Sequence, residues 1–197
     1  MEIERRLHSA DVEVRADHAG NKTIEGYAAV FGARSQNLGG FVERIDSGAF
    51  AESLAAGDDV RALLNHDPNF VLGRSTAGTL ELAADSTGLH YRITPSNAQY
   101  AKDLVIAMER GDVTQSSFGF RTNPDGDTWS YTEDDFPLRT LTSVRLIDVS
   151  PVTFPAYLDT DSHVSTRAAS HAHTMRAVRD FEPAWPLLDA LQSRRYI

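Results

Sequence analysis

In the run VTQSSFGF, residues 113–120, two adjacent serines precede an aromatic–glycine–aromatic sequence. A serine hydroxyl is a poor nucleophile until a base takes its proton. The usual base is a histidine held in one tautomer by a third group. In an extended strand, side chains alternate between two faces. Ser116 therefore shares a face with Phe118 and Phe120, and Ser117 shares the other with Gln115 and Gly119. Ser117 thus lies beside a residue without a side chain, where a substrate backbone can approach closely.

The histidines separate by the same alternation. In GLHYRIT, His90 falls with Arg92 and Thr94, opposite Leu89, Tyr91 and Ile93, and reads as solvated. In VRALLNHDP, the face of Val60, Ala62 and Leu64 continues to His66, where Asp67 and Pro68 end the strand. A histidine on an apolar face needs partners for its ring nitrogens. His66 is either a satisfied structural histidine or a base. In SVRLIDVSPV, Val144, Leu146 and Asp148 fall on one face. A carboxylate there is costly unless paired. Asp148 either pairs with an arginine such as Arg145 or Arg74, or orients His66, and alternation allows both.

The elements that must hold these residues read mainly as short strands set off by Gly, Asp, Asn and Pro, from about residue 11 to 154. Two helices interrupt them. DSGAFAESLAAG offers Asp46 and Ser47 as caps, Phe50 and Leu54 at helical spacing, and Gly57 as a stop. NAQYAKDLVIAMERGD puts Tyr100, Leu104 and Met108 on one face and ends at Gly111. This pattern predicts a closed or nearly closed barrel with peripheral helices. Residues 1–158 read as one domain. Residues 159–197 read as a flexible C-terminal tail with a short terminal helix near 187–195. His163, His171 and His173 of that tail lack the spacing of a metal site and read as ordinary tail residues.

Composition narrows the function classes. The chain has 197 residues and a net charge of −9, with no dense Lys/Arg cluster, which argues against gripping nucleic acid through phosphates. With no cysteine there is no disulfide, thiolate nucleophile or zinc–sulfur site. No apolar run approaches the ~20 residues that span a bilayer, and the first residues lack a signal-peptide pattern. The expectation is a soluble cytoplasmic protein without metal or cofactor.

Taken in order, EGYAAVFG, FVERIDSGAF, LLNHDPNFVLGRS, GTLELAADSTGLHYRI, TQSSFGF and VRLIDVSPVTFPAY resemble the prohead (head-maturation) serine proteases of tailed bacteriophages. The resemblance covers roughly residues 11–157 and implies a mainly β (α+β) fold, a herpesvirus-protease-like β-barrel ringed by a few helices. It assigns His66 as the catalytic histidine, Ser117 as nucleophile and Asp148 as third member. The family more often has Glu at that last position. Related herpesvirus enzymes use a second histidine there, for which His90 is the barrel candidate. Arg74 and Gly119 are expected to support the oxyanion site, Ser116 to pack or bond locally, and Glu43 to be structural. By resemblance the enzyme is an endopeptidase that cuts capsid and scaffolding segments. The small-residue tail, which can lie extended in a protease site, adds the expectation of self-cleavage within residues 158–179, with trimming by host proteases as the alternative. The enzyme would act in the host cytoplasm inside the immature head, without contacting nucleic acid or membrane, and a homo-oligomer is compatible. The rival readings are an inactive protease fold that templates assembly and an unrelated β-barrel binding module.

Overall fold

The computed structural model describes residues 3–16, 20–153 and 166–181. Eleven strands form among the described residues: β1 (Glu4–Ala16), β2 (Lys22–Val30), β3 (Val42–Ile45), β4 (Arg61–Leu64), β5 (Asp67–Arg74), β6 (Leu80–Ala84), β7 (Gly88–Ile93), β8 (Gln115–Thr122), β9 (Asp127–Tyr131), β10 (Pro137–Leu141) and β11 (Val144–Val152). Three helices accompany them: α1 (Ala51–Ala55), α2 (Gln99–Glu109) and α3 (Thr166–Phe181). No helix of the described residues is long and apolar enough to cross a membrane.

Eight strands pair in the order β5–β4–β11–β8–β1–β2–β7–β6, and β3, β10 and β9 form a second sheet. The mainly β architecture with helices agrees with the sequence reading. Among the described residues a barrel closed by strand pairing does not form: β5 and β6 remain the ladder's two edges. Pro68 removes a donor from β5, and two shifts break its register with β4. A short 3-10 turn at Ser75–Ala77 joins the edges, and there the Thr79 amide donates to the Arg74 carbonyl at 3.2 Å.

One face of the ladder builds the core. Phe118 stacks on Phe120 at 5.1 Å between ring centroids and meets Phe50 edge-on at 5.5 Å. Tyr91, Leu89, Ile24, Leu146 and Val149 complete this wall. α2 lays Ala101, Leu104, Val105 and Met108 against the core and stops before Gly111, whose φ of +82° suits glycine. Asp46 does not cap α1. Its carboxylate accepts the Gly48 amide at 2.9 Å in the preceding turn, and α1 starts after Phe50 with no side-chain cap.

The region expected to be a structureless tail differs over residues 166–181, which form α3. Ala168 and Ala172, one helical turn apart, are buried against Phe41, Leu38 and Trp129. The Tyr131 hydroxyl donates to the Met175 carbonyl at 3.1 Å, and the Arg176 guanidinium lies 5.0 Å from the Phe136 ring centre. The expected terminal helix near 187–195 lies outside the described residues.

A buried ionic cluster joins the second sheet to the ladder. Arg6 on β1 donates to Glu43 on β3 (2.7 and 3.0 Å) and to Glu4 (2.6 Å). Arg139 on β10 donates to Glu4 at 2.7 Å, Glu43 at 3.0 Å, Asp127 at 2.8 Å and Thr122 at 2.8 Å. Burial alone would raise the Glu4 carboxyl. The hydrogen bond from Arg139 and the charges of Arg6 and Arg139 outweigh it, and the group falls to about 2. Glu43, read from the sequence as structural, is bonded by both Arg6 and Arg139 in this cluster.

Candidate active site

β8 lies at the centre of the site, between β1 and β11. In an antiparallel pair, residues directly opposite share a face. Ser117 stands opposite Ser150 and Gly119 opposite Asp148 on β11. Ser116 points the other way, into the core, where its hydroxyl lies 2.5 Å from that of Tyr91. Burial pushes the Tyr91 hydroxyl well above its ordinary pKa, so the pair is neutral.

Asp148 reaches the Ser117 face through a β-bulge. Leu146 pairs with Phe120 and Asp148 with Gly119, so Ile147 is an extra residue. The bulge reverses the alternation. Val144 and Leu146 face the core, whereas Asp148 leaves it. The sequence reading that put all three on one face is thereby corrected. α1 supports the bulge, because the Ser53 hydroxyl accepts the Leu146 amide at 3.0 Å. Gly119 also has a different task from the expected approach of substrate. A methyl group there would collide with the Asp148 carboxylate, so the glycine makes room for it.

His66 lies in a turn rather than on a strand face. The two-residue turn Asn65–His66 joins β4 to β5, and both residues have positive φ, +53° and +58°. That is the conformation of a type I′ hairpin turn, which suits Asn but strains His. Asn65 ties the turn to the end of β11: its amide donates to the Pro151 carbonyl at 3.1 Å, and its side-chain oxygen accepts the Thr153 amide at 2.8 Å. The imidazole is thus carried over β11 toward β8. Its Nδ1 is hydrogen-bonded to Asp148 Oδ1, and its Nε2 lies 2.6 Å from Ser117 Oγ.

The Ser117 hydroxyl has a second acceptor, the Arg6 carbonyl at 2.9 Å. Ser150, which sequence reasoning did not single out, is fully buried and donates to Asp148 Oδ1 at 3.0 Å. Its oxygen is 3.3 Å from His66 Nδ1. The available signal was its place two residues after Asp148, on the same strand face. With a carboxylate at Nδ1, the imidazole keeps its proton there and leaves Nε2 to accept one from Ser117.

The remaining candidates are elsewhere. Arg74 is engaged by Asp59 through two hydrogen bonds of 2.7 Å. These bonds hold Asp59 far below the ordinary carboxylate range. Arg74 therefore braces the loop that carries Asp59. His90 on β7 packs edge-on to Tyr27 at 5.2 Å, three strands away from β8 in the ladder. His171 lies against Trp129 at 4.8 Å, and His163 is outside the described residues.

A family model described as Caudovirus prohead serine protease matches residues 10–175. Among solved structures, the bacteriophage T4 capsid assembly protease gp21 is similar with a TM-score of 0.45 and 10% identity, covering 76% of this chain and 98% of that one. No curated protein matches the sequence.

Proposed function

The chain belongs to the caudovirus prohead serine protease family, and from that premise we propose that it is an endopeptidase whose catalytic groups are Ser117, His66 and Asp148. The observation that carries this reading is the unbroken hydrogen-bonded path from Ser117 Oγ through the His66 ring to Asp148. Ser117 Oγ attacks the scissile carbonyl carbon while its proton passes to His66 Nε2, and Asp148 stabilises the resulting imidazolium. The proton then moves to the leaving amine, the C–N bond breaks, and an acyl-enzyme remains on Ser117. A water molecule gives its proton to His66, attacks the ester and releases the acid as Ser117 regains its proton.

The substrates are the capsid protein and the scaffolding protein or scaffold domain, cut inside the immature head in the host cytoplasm. Self-cleavage belongs to the same reading. Residues 166–181 are helical and must unwind before they can lie extended in a protease site. Cuts within the expected interval should therefore fall at 158–165, ahead of α3. The test is labelling with a serine-directed phosphonate, followed by co-expression with the capsid protein and mass spectrometry of the fragments. Labelling at Ser117 and capsid fragments that vanish in Ser117→Ala are expected. An unlabelled wild-type protein, or identical fragments in both, overturns the proposal.

A further inference from the structure

Arg5 on β1 lies opposite Gly119, on the strand face that carries Ser117 and Asp148. Arg121, two residues after Gly119 on β8, is on the same face. The two are diagonal neighbours on paired strands, a relation that puts Cβ atoms about 7–8 Å apart. Both are half-buried, and in both the Nε atom is buried without a hydrogen-bond partner. Among the described residues, neither makes an ion pair. This is unexpected in a chain with 28 acidic and 19 basic residues. Arg145, opposite Arg121, is paired with Asp58 at 3.5 Å. Arg6, next to Arg5 in sequence, is saturated by Glu4 and Glu43 on the other face.

We propose that Arg5 and Arg121 form a subsite for a carboxylate side chain of the substrate polypeptide, so that the enzyme selects segments with Asp or Glu near the cleaved bond. The inference rests on the protease reading above. Two guanidiniums on one strand face, each half-buried and without an ion pair among the described residues, match a carboxylate, which accepts two parallel hydrogen bonds from an arginine fork. Along β8, Gly119 is roughly 7 Å and Arg121 roughly 13 Å from Ser117. An extended substrate advances about 3.3 Å per residue, so the selected acid lies within about four residues of the scissile bond. In a protein of net charge −9, a local pair of cations without ion-pair partners among the described residues is what lets an acidic segment dock. Asp159 and Asp161 of the chain itself lie in the interval where self-cleavage is expected.

The experiment uses capsid-derived peptides in which each position flanking the cut carries Glu or, in a matched peptide, Gln. The readout is the ratio of kcat/KM values within each protein. Wild type should favour Glu by about tenfold or more at one position or two. Arg5→Gln and Arg121→Gln should bring that ratio toward one, and Arg121→Glu should instead favour Lys at the same position. Arg5→Lys and Arg121→Lys, which keep charge but lose the fork, should retain an intermediate ratio and serve if a Gln variant fails to fold. A wild-type enzyme that is labelled by phosphonate yet cuts Glu and Gln peptides equally overturns the subsite alone. A Glu preference that survives in both Gln variants also overturns it. Absence of labelling and cleavage overturns the protease reading, and the subsite with it.

Discussion

The two faces of the β1–β8–β11 sheet both carry charged and hydroxyl groups but treat them differently. On the core face, Glu4 and Arg6 are bonded into a cluster with Glu43, Arg139 and Asp127 of the second sheet, and Ser116 is bonded to Tyr91. On the other face, Ser117 shares one proton between two acceptors, His66 adopts a strained turn conformation, and Arg5 and Arg121 have no ion-pair partner among the described residues. Satisfied buried groups lower the energy of one arrangement and resist change. Groups left short of partners next to a bulge and a positive-φ turn are available to a ligand or a reacting atom. The contrast divides structure from function within single residues of each other: Ser116 against Ser117, and Arg6 against Arg5.

The largest effect tests the serine pair. Ser117→Ala and His66→Ala should each lower cleavage by several powers of ten with little change in unfolding midpoint. Ser116→Ala should keep cleavage but lose about 1–3 kcal/mol of stability, because it strands the Tyr91 hydroxyl in the core. Rates and denaturation curves on the three proteins decide it; an inactive, fully stable Ser116→Ala would erase the division. Next comes Asp148→Asn, which should cost on the order of 10⁴ in kcat with KM unchanged, because the amide stabilises the wrong imidazole tautomer. Gly119→Ala should lower kcat in the same way, since its methyl displaces the same carboxylate. An Asp148→Asn enzyme at full rate would remove Asp148 from the mechanism.

On the core face the same kind of change should act on stability. Arg139→Met leaves Glu4, Glu43 and Asp127 with less compensation and should cost about 3–5 kcal/mol in denaturant unfolding. The pH dependence has a defined sign. Glu4 is lowered from 4.5 to about 2 on folding, so its contribution is complete above about pH 4.5 and is lost as pH falls toward 2. Removing Arg139 removes its chief hydrogen-bond donor, so the variant should unfold at higher pH than wild type in an acid titration followed by tryptophan fluorescence. Equal acid midpoints would mean that the cluster does not set acid stability.

Much of this arrangement is legible in the sequence, but not always for the right reason. Regular alternation correctly separates Ser116 from Ser117, because β8 is unbroken through residues 115–122. The same rule fails for Asp148, because a bulge at Ile147 has no signature in SVRLIDVSPV. It fails for His66 too, where an Asn-His turn replaces a strand end. His66, Ser117 and Asp148 still come within hydrogen-bond reach, which motif order anticipated and periodicity did not. Helix α3 was missed because its buried stripe is made of alanines, Ala168 and Ala172, too small to register as an apolar face. Arg5 and Arg121 were invisible because an unpaired arginine is defined by what does not surround it.

The smallest effect falls on Ser150, which stands at the border between the two behaviours. It is as buried as Ser116, yet its hydroxyl serves the opposite face, donating to the Asp148 oxygen that is bonded to His66 Nδ1. A hydrogen bond to a charged group is worth about 1.5–3 kcal/mol, and part of it is retained when the carboxylate turns to another partner. If the bond holds the Asp148 carboxylate in the plane of the imidazole, Ser150→Ala should lower kcat by about tenfold and leave KM unchanged, because about 1.4 kcal/mol is lost from the transition state alone. Ser150→Thr, which keeps the hydroxyl, should recover most of that rate. A purely structural serine behaves in the reverse way: Ser150→Ala would lower the unfolding midpoint while kcat stayed at the wild-type value. That result would move Ser150 to the class of Ser116 and place the border of the functional face at Asp148.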